Sequence, residues 1–384
     1  MKELSRLVLL VGLLSVGSAQ EKIVLTFAGD IMAHDVNYKM ANYNHIYDDV
    51  RDYLAQDDLS FANLEFPVDD TLPYRTYPTF NVKIPYVLAA IRGGFEAFSL
   101  ANNHSNDQGK QAMLNTMRTM RAMHRVYGTL SHGLRESPSQ NFELAITTLK
   151  GIQVGFLAAT NLLNSSVGSE MVFYLGGWDR FQNTLDPSKR QEFIEHVRNA
   201  ARQVDFLVVS LHDGVEYGTH PLKFQEDFYY QLRQAGARVV WVQHPHVLNP
   251  MQRVGEGVIL YSMGNFISGQ RHMLTPSQYQ DYRAERGDGA LVRLVFDRLP
   301  SQSWRMRQPQ IQFITHFKEE GKGWVVRRLP ELLQQMDAKD PWLNYYRYRY
   351  EQMRQRLRML PSRWIWQDMV PIPERLSRWK SLGI

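Results

Sequence analysis

Short, nearly continuous apolar runs alternate along this chain with longer stretches whose apolar residues recur at helical spacing. "KIVLTFAGDIM" (22–32), "LSFANLE" (59–65), "FEAFSLANNH" (95–104), "DFLVVSLHDG" (205–214), "RVVWVQHPH" (238–246) and "GVILYSMGNF" (257–266) read as buried strands. Residues 84–94, 108–124, about 188–203 and about 222–235 have helical spacing, the third stretch opening at Asp186-Pro187-Ser188. "RVYGTL" (125–130) reads as a short return strand. Two apolar runs joined at Lys150-Gly151 form a hairpin signal, and residues 309–329 form a second. Strands and helices alternating through most of the chain imply an α/β fold with its strands inside. No internal repeat or low-complexity linker interrupts it.

Composition divides the chain further. Its 384 residues, 44% of them hydrophobic, suffice for one large core or two smaller ones. Lys2 and Arg6, the apolar "LVLLVGLLSVG" and the small Gly17 and Ala19 read as a signal peptide over 1–19, with export as the consequence. That apolar stretch is about half the ~20 residues a spanning helix needs, so an uncleaved membrane anchor is the lesser alternative. Residues 20–330 then form the main domain and 331–384 a basic, aromatic, helical extension. Residues 301–384 carry 16 Lys and Arg against 8 Asp and Glu, an excess larger than the whole chain's +5. This tail reads as a helix with its aromatics docked and its arginines in water; binding to an anionic polymer or membrane surface is the alternative. An exported chain without a recognisable nucleic-acid motif excludes nucleic acid as the expected partner. With no cysteine there are no disulfides, thiolate ligands or thiol nucleophile.

The polar residues that interrupt the strand pattern share an address. Asp30, Glu65, Asn103, His104, His212, His244 and His246 all fall at or just past the carboxyl end of an apolar run, where ligands bind in open α/β sheets. A lone histidine or a Gly-Asp turn has an ordinary structural explanation; so many strand ends choosing oxygen or imidazole donors does not. Three histidines, two carboxylates and an amide oxygen, without sulfur, suit Mn, Zn or Fe. They are too many for one open site and about right for two ions sharing a carboxylate. His104 is then left to give a proton to a leaving oxygen. Asn102, Asp107, Glu216 and Asn265 are further candidates for contacting substrate.

"TFAGDIM", "ANLEFPV", "SLANNHSNDQG", "VVSLHDGVEYG", "VQHPHVLNP" and "LYSMGNF" resemble, in order, the motifs of the bacterial capsule-synthesis CapA family. That family is associated with poly-γ-glutamate capsules and sits in the calcineurin-like metallophosphoesterase superfamily. The resemblance implies an α/β/β/α fold, two stacked mixed sheets flanked by helices. It also implies one or two divalent ions held by Asp30, Glu65, Asn103, His212, His244 and His246, with Glu65 in the bridging position and His104 at the scissile group. The implied activity is a phosphoesterase-like hydrolase or transferase acting on a phosphoester or an anionic cell-surface polymer. A non-catalytic polymer-binding or export factor is the alternative, and membrane-associated capsule machinery is a further implied partner. Periplasm or cell surface is the implied location. Three positions depart from the superfamily pattern. Met32 stands where a second-ligand histidine is usual, with His34 two residues on; Asp213 follows His212 in place of an apolar residue; Val242 replaces a glycine.

Overall fold

Strand β1 (Lys22–Ile31) lies mid-sheet, and seven consecutive residues of it are buried because both of its faces are covered. The computed structural model describes residues 21–176, 178, 179 and 184–360. The leader read at 1–19 and the last part of the basic tail lie outside the described residues.

One sheet runs in the order β17 (Gly323–Arg328), β16 (Gln310–Glu319), β14 (Asp288–Arg298), β1, β2 (Leu59–Leu64), β3 (Ala97–Ser99), β4 (Leu130–His132). Short β13 (Asn265–Ile267) also pairs with β1, and β15 (Trp304–Met306) with β14. The other runs β18 (Met359–Leu360), β11 (Met251–Val254), β12 (Gly257–Leu260), β10 (Val239–Gln243), β9 (Phe206–His212), β6 (Ile152–Thr160), β5 (Ala145–Leu149). Both are mixed: β1–β4 are parallel, as are β6, β9, β10 and β12, while β14 and β5 run antiparallel to their neighbours. A small hairpin, β7 (Trp178–Asp179) with β8 (Thr184–Leu185), stands apart.

Strand periodicity sorts the side chains into three cores. Phe27 and Phe61 point from the first sheet onto Phe156, Val208 and Trp241 of the second, filling the space between them. The Trp241 indole donates across that space to the Ala28 carbonyl at 2.9 Å. The alternate residues Ala28, Ile31, Ala62 and Leu64 face outward, under helix α3 (Ile84–Arg92) and beside the short helices α1 (Asp35–Tyr38) and α2 (Arg51–Leu54). On the far side Leu157, Leu207, Val209 and Val240 lie under α5 (Pro187–Ala201) and α6 (Lys223–Gln234). The resulting order, helices, sheet, sheet, helices, is the α/β/β/α layering that the resemblance implies.

The Lys150-Gly151 hairpin forms as read, with both residues in the left-handed region. So does α5, whose cap is the Asp186 carboxylate accepting the Ser188 amide. Three readings are corrected. Arg125–Tyr127 belong to α4 (Gly109–Tyr127), which ends only where Gly128 takes a left-handed φ of 71°; the strand begins at Leu130. "FEAFSLANNH" is a strand only over Ala97–Ser99, flanked by irregular backbone that passes into a turn at residues 102–104. "GVILYSMGNF" is two strands: β12 ends at Leu260, Gly264 turns the chain at φ 69°, and β13 joins the other sheet. This crossing is tight, since a Cβ on Gly29 would lie 1.7 Å from the Gly264 carbonyl oxygen.

The basic tail is helical in α7 (Leu329–Gln335) and α8 (Leu343–Arg356). Leu329, Leu332, Tyr345, Tyr346 and Met353 enter the central core. Arg347, Arg354 and Arg358 face water, but Arg349 is buried against Asp288.

Candidate metal centre

The parallel strands of both sheets end at one place. Asp30 on β1 stands in register with Asn63 on β2 and Asn265 on β13, and His212 on β9 with Thr160 and Gln243. Asn103 and His104 follow β3 in a turn. His244 and His246 follow β10 at φ values of 101° and 57°, which non-glycine residues rarely adopt. Such strain persists where the surroundings demand it, and here it brings both rings into the cleft between the sheets, 5.7 Å apart.

Glu65, His212 and His244 each offer a ligand atom within 4.8 Å of the others, and so do Asp30, Glu65 and His246. Glu65 belongs to both sets. The Asn103 amide oxygen completes the first, 2.9 Å from His212 Nε2. All six residues expected to ligate thus converge, in two sets that share one carboxylate. The fit to cations is also electrostatic. Asp30 Oδ2 and Glu65 Oε1 are buried without a hydrogen-bond partner, and each lies near a ring nitrogen of His246, at 3.2 and 3.5 Å. Burial pushes the Glu65 carboxyl well up, with His246 opposing and Asp30 reinforcing. Burial, then His244 and His246, holds His212 well below the usual imidazole range, in the neutral form that binds metals. Burial also acts to lower His246, but Glu65 and Asp30 outweigh it and raise the ring to about 9. A strong acceptor pair clamped around one imidazolium is the arrangement a metal ion would replace.

A polar frame holds these donors. Asn63, inside the run "LSFANLE", donates to Asp30 Oδ1 at 2.9 Å and lies 3.3 Å from His212 Nδ1. Its spacing of two from Glu65, which puts both on the same strand face, was the available signal. Asn102 is turned inward, donating to Asn63 Oδ1 and the Leu64 carbonyl and accepting the His104 amide. Asp107 accepts from His104 Nδ1 at 2.7 Å and from the Phe80 amide at 2.8 Å. The Phe80 ring meets the His104 imidazole edge-on at 4.7 Å. Asn265 Oδ1 lies 3.0 Å from His246 Nδ1, and its amide donates to the Arg286 carbonyl. Of the four residues expected at the substrate, these three therefore spend their polar atoms on the frame, while Glu216 is exposed beside the centre and acts electrostatically on Glu65 and His246.

The three departures have distinct structural fates. Met32 is buried in the outer core and supplies no donor. His34 lies close by, its Nδ1 buried without a hydrogen-bond partner, but it belongs to neither donor set; burial and then the neighbouring His246 and His104 lower it to about 3. Asp213 points away, accepting from Tyr229 and Gln225 on α6. Val242 packs into the core under α5 and α6.

Fold and centre together define a class: an α/β/β/α protein whose two sheets direct their strand ends at one buried, sulfur-free donor set suited to a pair of metal ions. Residues 24–270 match the family described as "Bacterial capsule synthesis protein PGA_cap", and the chain belongs to that family. It is 26% identical over 262 residues to the "Capsule biosynthesis protein CapA" of Bacillus anthracis, covering 65% of this chain and 61% of that one. It is 25% identical over 255 residues to the "PGA biosynthesis protein CapA" of Bacillus subtilis (strain 168), covering 64% and 63%. The chain therefore spans less than two thirds of the length of either relative. Among solved structures, a hypothetical protein from Thermus thermophilus aligns with a TM-score of 0.43 at 13% identity, over 76% of this chain and 98% of that one. A purple acid phosphatase from yellow lupin (Lupinus luteus) aligns at 0.34 and 11%, over 80% and 54%.

Proposed function

We propose that this chain is an exported capsule-biosynthesis protein of the periplasm or cell surface, acting as a metal-dependent hydrolase or transferase on a phosphoester or a poly-γ-glutamate-type polymer. The names of the two CapA relatives support the pathway. The observation that carries the chemistry is Glu65 shared between two donor sets, beside a histidine that is in neither. Asp30, Glu65 and His246 would hold one divalent ion, Mn, Zn or Fe, and Glu65, His212, His244 and Asn103 the other. Bound there, the ions would supply Lewis acidity and a water of lowered pKa. The chain's own groups supply the rest. The Asp107 carboxylate, 2.7 Å from His104 Nδ1, would accept a hydrogen bond there, leaving Nε2, with the Asn164 amide nitrogen 3.4 Å away, as the atom that would pass a proton to the leaving oxygen. Phe80, packed edge-on against the ring, would brace that orientation.

Met32 standing where the superfamily has a ligand favours a second reading, a non-catalytic polymer-binding or export factor with one ion. Among the described residues no helix is long and apolar enough to cross a membrane. Elemental analysis of protein purified without added metal separates the readings: two equivalents support the hydrolase, one the binding factor. His104→Ala is expected to keep its metal and lose turnover by ~10²–10⁴-fold, least on an aryl phosphodiester, whose leaving group needs little protonation, and most on an alkyl one. Wild-type protein inactive with all three metals would sink the hydrolase.

A further inference from the structure

Beside the centre sits a cation that the frame does not use. Arg286 lies in the turn Ala284–Gly287 that leads into β14. Its guanidinium carbon is 3.5 Å from the centroid of the Tyr217 ring and 5.2 Å from that of Tyr282. The Tyr217 ring is in turn 6.0 Å from the His246 ring. Among the described residues Arg286 makes no ion pair, and its Nε is buried without a hydrogen-bond partner. The acids near it in sequence are already engaged: Asp281 is bonded twice to Arg283, Glu285 twice to Arg356, and Asp288 is paired with Arg349.

Two separate ties fix this guanidinium relative to the metal centre. Tyr217, at a left-handed φ of 59°, donates its amide to the Pro245 carbonyl, within the His244-Pro245-His246 turn. The Arg286 carbonyl takes the Asn265 amide at 2.9 Å, and Asn265 meets His246. A planar fork stacked on an aromatic face loses little freedom on binding and matches the two oxygens of a carboxylate. An arginine held this way, with a buried donor unspent, is arranged for an anion that arrives with the substrate. Fully buried arginines elsewhere in the chain have their Nη groups engaged: Arg349 has Asp288, and Arg271, whose Nε is likewise unpartnered, bonds through Nη2 to the His316 carbonyl and Tyr346.

We infer that Arg286 on Tyr217 is a substrate-anchoring site for a carboxylate next to the reacting group. This rests on the capsule-polymer reading above and deepens it. Glu216, exposed on the same loop, would repel a second acid placed on its side and so set the direction in which the polymer lies.

The test uses the full exported chain with its metal, and two fluorescein-labelled probes of matched charge: a γ-linked glutamate oligomer and a polyphosphate. Fluorescence anisotropy gives Kd, and elemental analysis is run on every variant. Arg286→Gln is expected to weaken the glutamate oligomer by about ten- to a hundredfold with metal content unchanged. Arg286→Lys should recover only a small part of this, since an ammonium neither stacks nor forks. Tyr217→Leu, which keeps the charge and removes the platform, should fall between. A loss confined to the glutamate oligomer supports the site, and an equal loss of polyphosphate overturns its carboxylate preference and leaves a general anion contact. Unchanged glutamate binding in Arg286→Gln overturns it, as does a loss that comes with loss of metal, because the substitution would then be acting through Asn265 and His246. Arg286-dependent binding in a protein with no phosphodiester turnover would remove the hydrolase reading and leave this site standing. Wild-type protein that turns over a phosphodiester and binds neither probe would do the reverse.

Discussion

Removing the Arg349 guanidinium tests how the tail helix is tied to the strand that runs beside the metal centre. Arg349 on α8 reaches Asp288 at the start of β14, with Nε 3.3 and 3.1 Å from the two carboxylate oxygens and Nη2 on Oδ2 as well. Their side chains are 3% and 5% exposed, so neither charge has water to fall back on. Burial pushes the Asp288 carboxyl above its usual range, and Arg349 is the strongest influence pulling it back. Arg349→Met keeps an apolar stem and strips the charge. Breaking a buried pair from one side costs ~3–5 kcal/mol, which for a chain of this size lowers Tm by roughly 4–6 °C. The size of the deficit must also depend on pH. In the variant the folded Asp288 holds its proton more tightly than the unfolded chain does, so the folded state binds more protons and stability falls as pH rises. Urea denaturation of wild type and variant between about pH 5 and 8 should show the gap widest at the alkaline end and narrowing toward the acid end. Adding Asp288→Asn should recover part of the loss by removing the stranded charge. A deficit under ~1 kcal/mol, the range of an exposed pair, or one that does not vary with pH, would refute the argument.

Two further outcomes follow from the same geometry. Because Glu65 lies in both donor sets and His244 in one, Glu65→Gln should abolish uptake of both equivalents while His244→Asn keeps one; elemental analysis showing equal content in the two variants would rule out a shared carboxylate. Away from the centre, burial raises Glu96 to about 7 and Asp57 to about 6, beside Ser60 at the start of β2. Folding therefore favours their protonated forms, and this stabilisation is lost as pH climbs from the ordinary carboxylate range through about 7. Glu96→Gln should become the more stable protein, relative to wild type, as pH rises through that window; denaturation midpoints that track each other across it would contradict this.

What the chain pattern revealed, and what it hid, divide on a physical line. Donor positions were legible because a buried apolar run has no use for Asp30 or His212 at its end, or for His246 just past it, so their chemistry stands out against Val, Leu and Phe. The frame was not legible, because Asn63 and Asn102 are common enough at strand ends and in turns to pass as ordinary, and only three-dimensional register shows Asn63 bonded to Asp30. Strand β14 escaped reading for the opposite reason. Its eleven residues hold Arg293 and Asp297, buried yet charged, and these break the apolar run. Arg293 is accommodated by stacking on Tyr53 at 3.9 Å and Asp297 by Arg307 at 2.7 and 2.8 Å, the one partner distant in sequence and the other in the loop after β15. The break between β12 and β13 hung on Gly264, where nothing local in "YSMGNF" says that the chain leaves one sheet for the other.

That passage from β12 to β13 bears on when the centre can exist. Asp30, Glu65 and Asn103 come from strand ends of one sheet, and His212, His244 and His246 from the other. Neither sheet alone owns a full set of donors, so an ion has nowhere to bind until the two have closed on each other. Each ion held there would add RT ln(1 + [M]/Kd) to the work of parting them. Uptake of metal would thus serve the maturing protein as a latch that only a completed sandwich can engage, and a chelator would act on it first as a loosening agent and only second as an inhibitor.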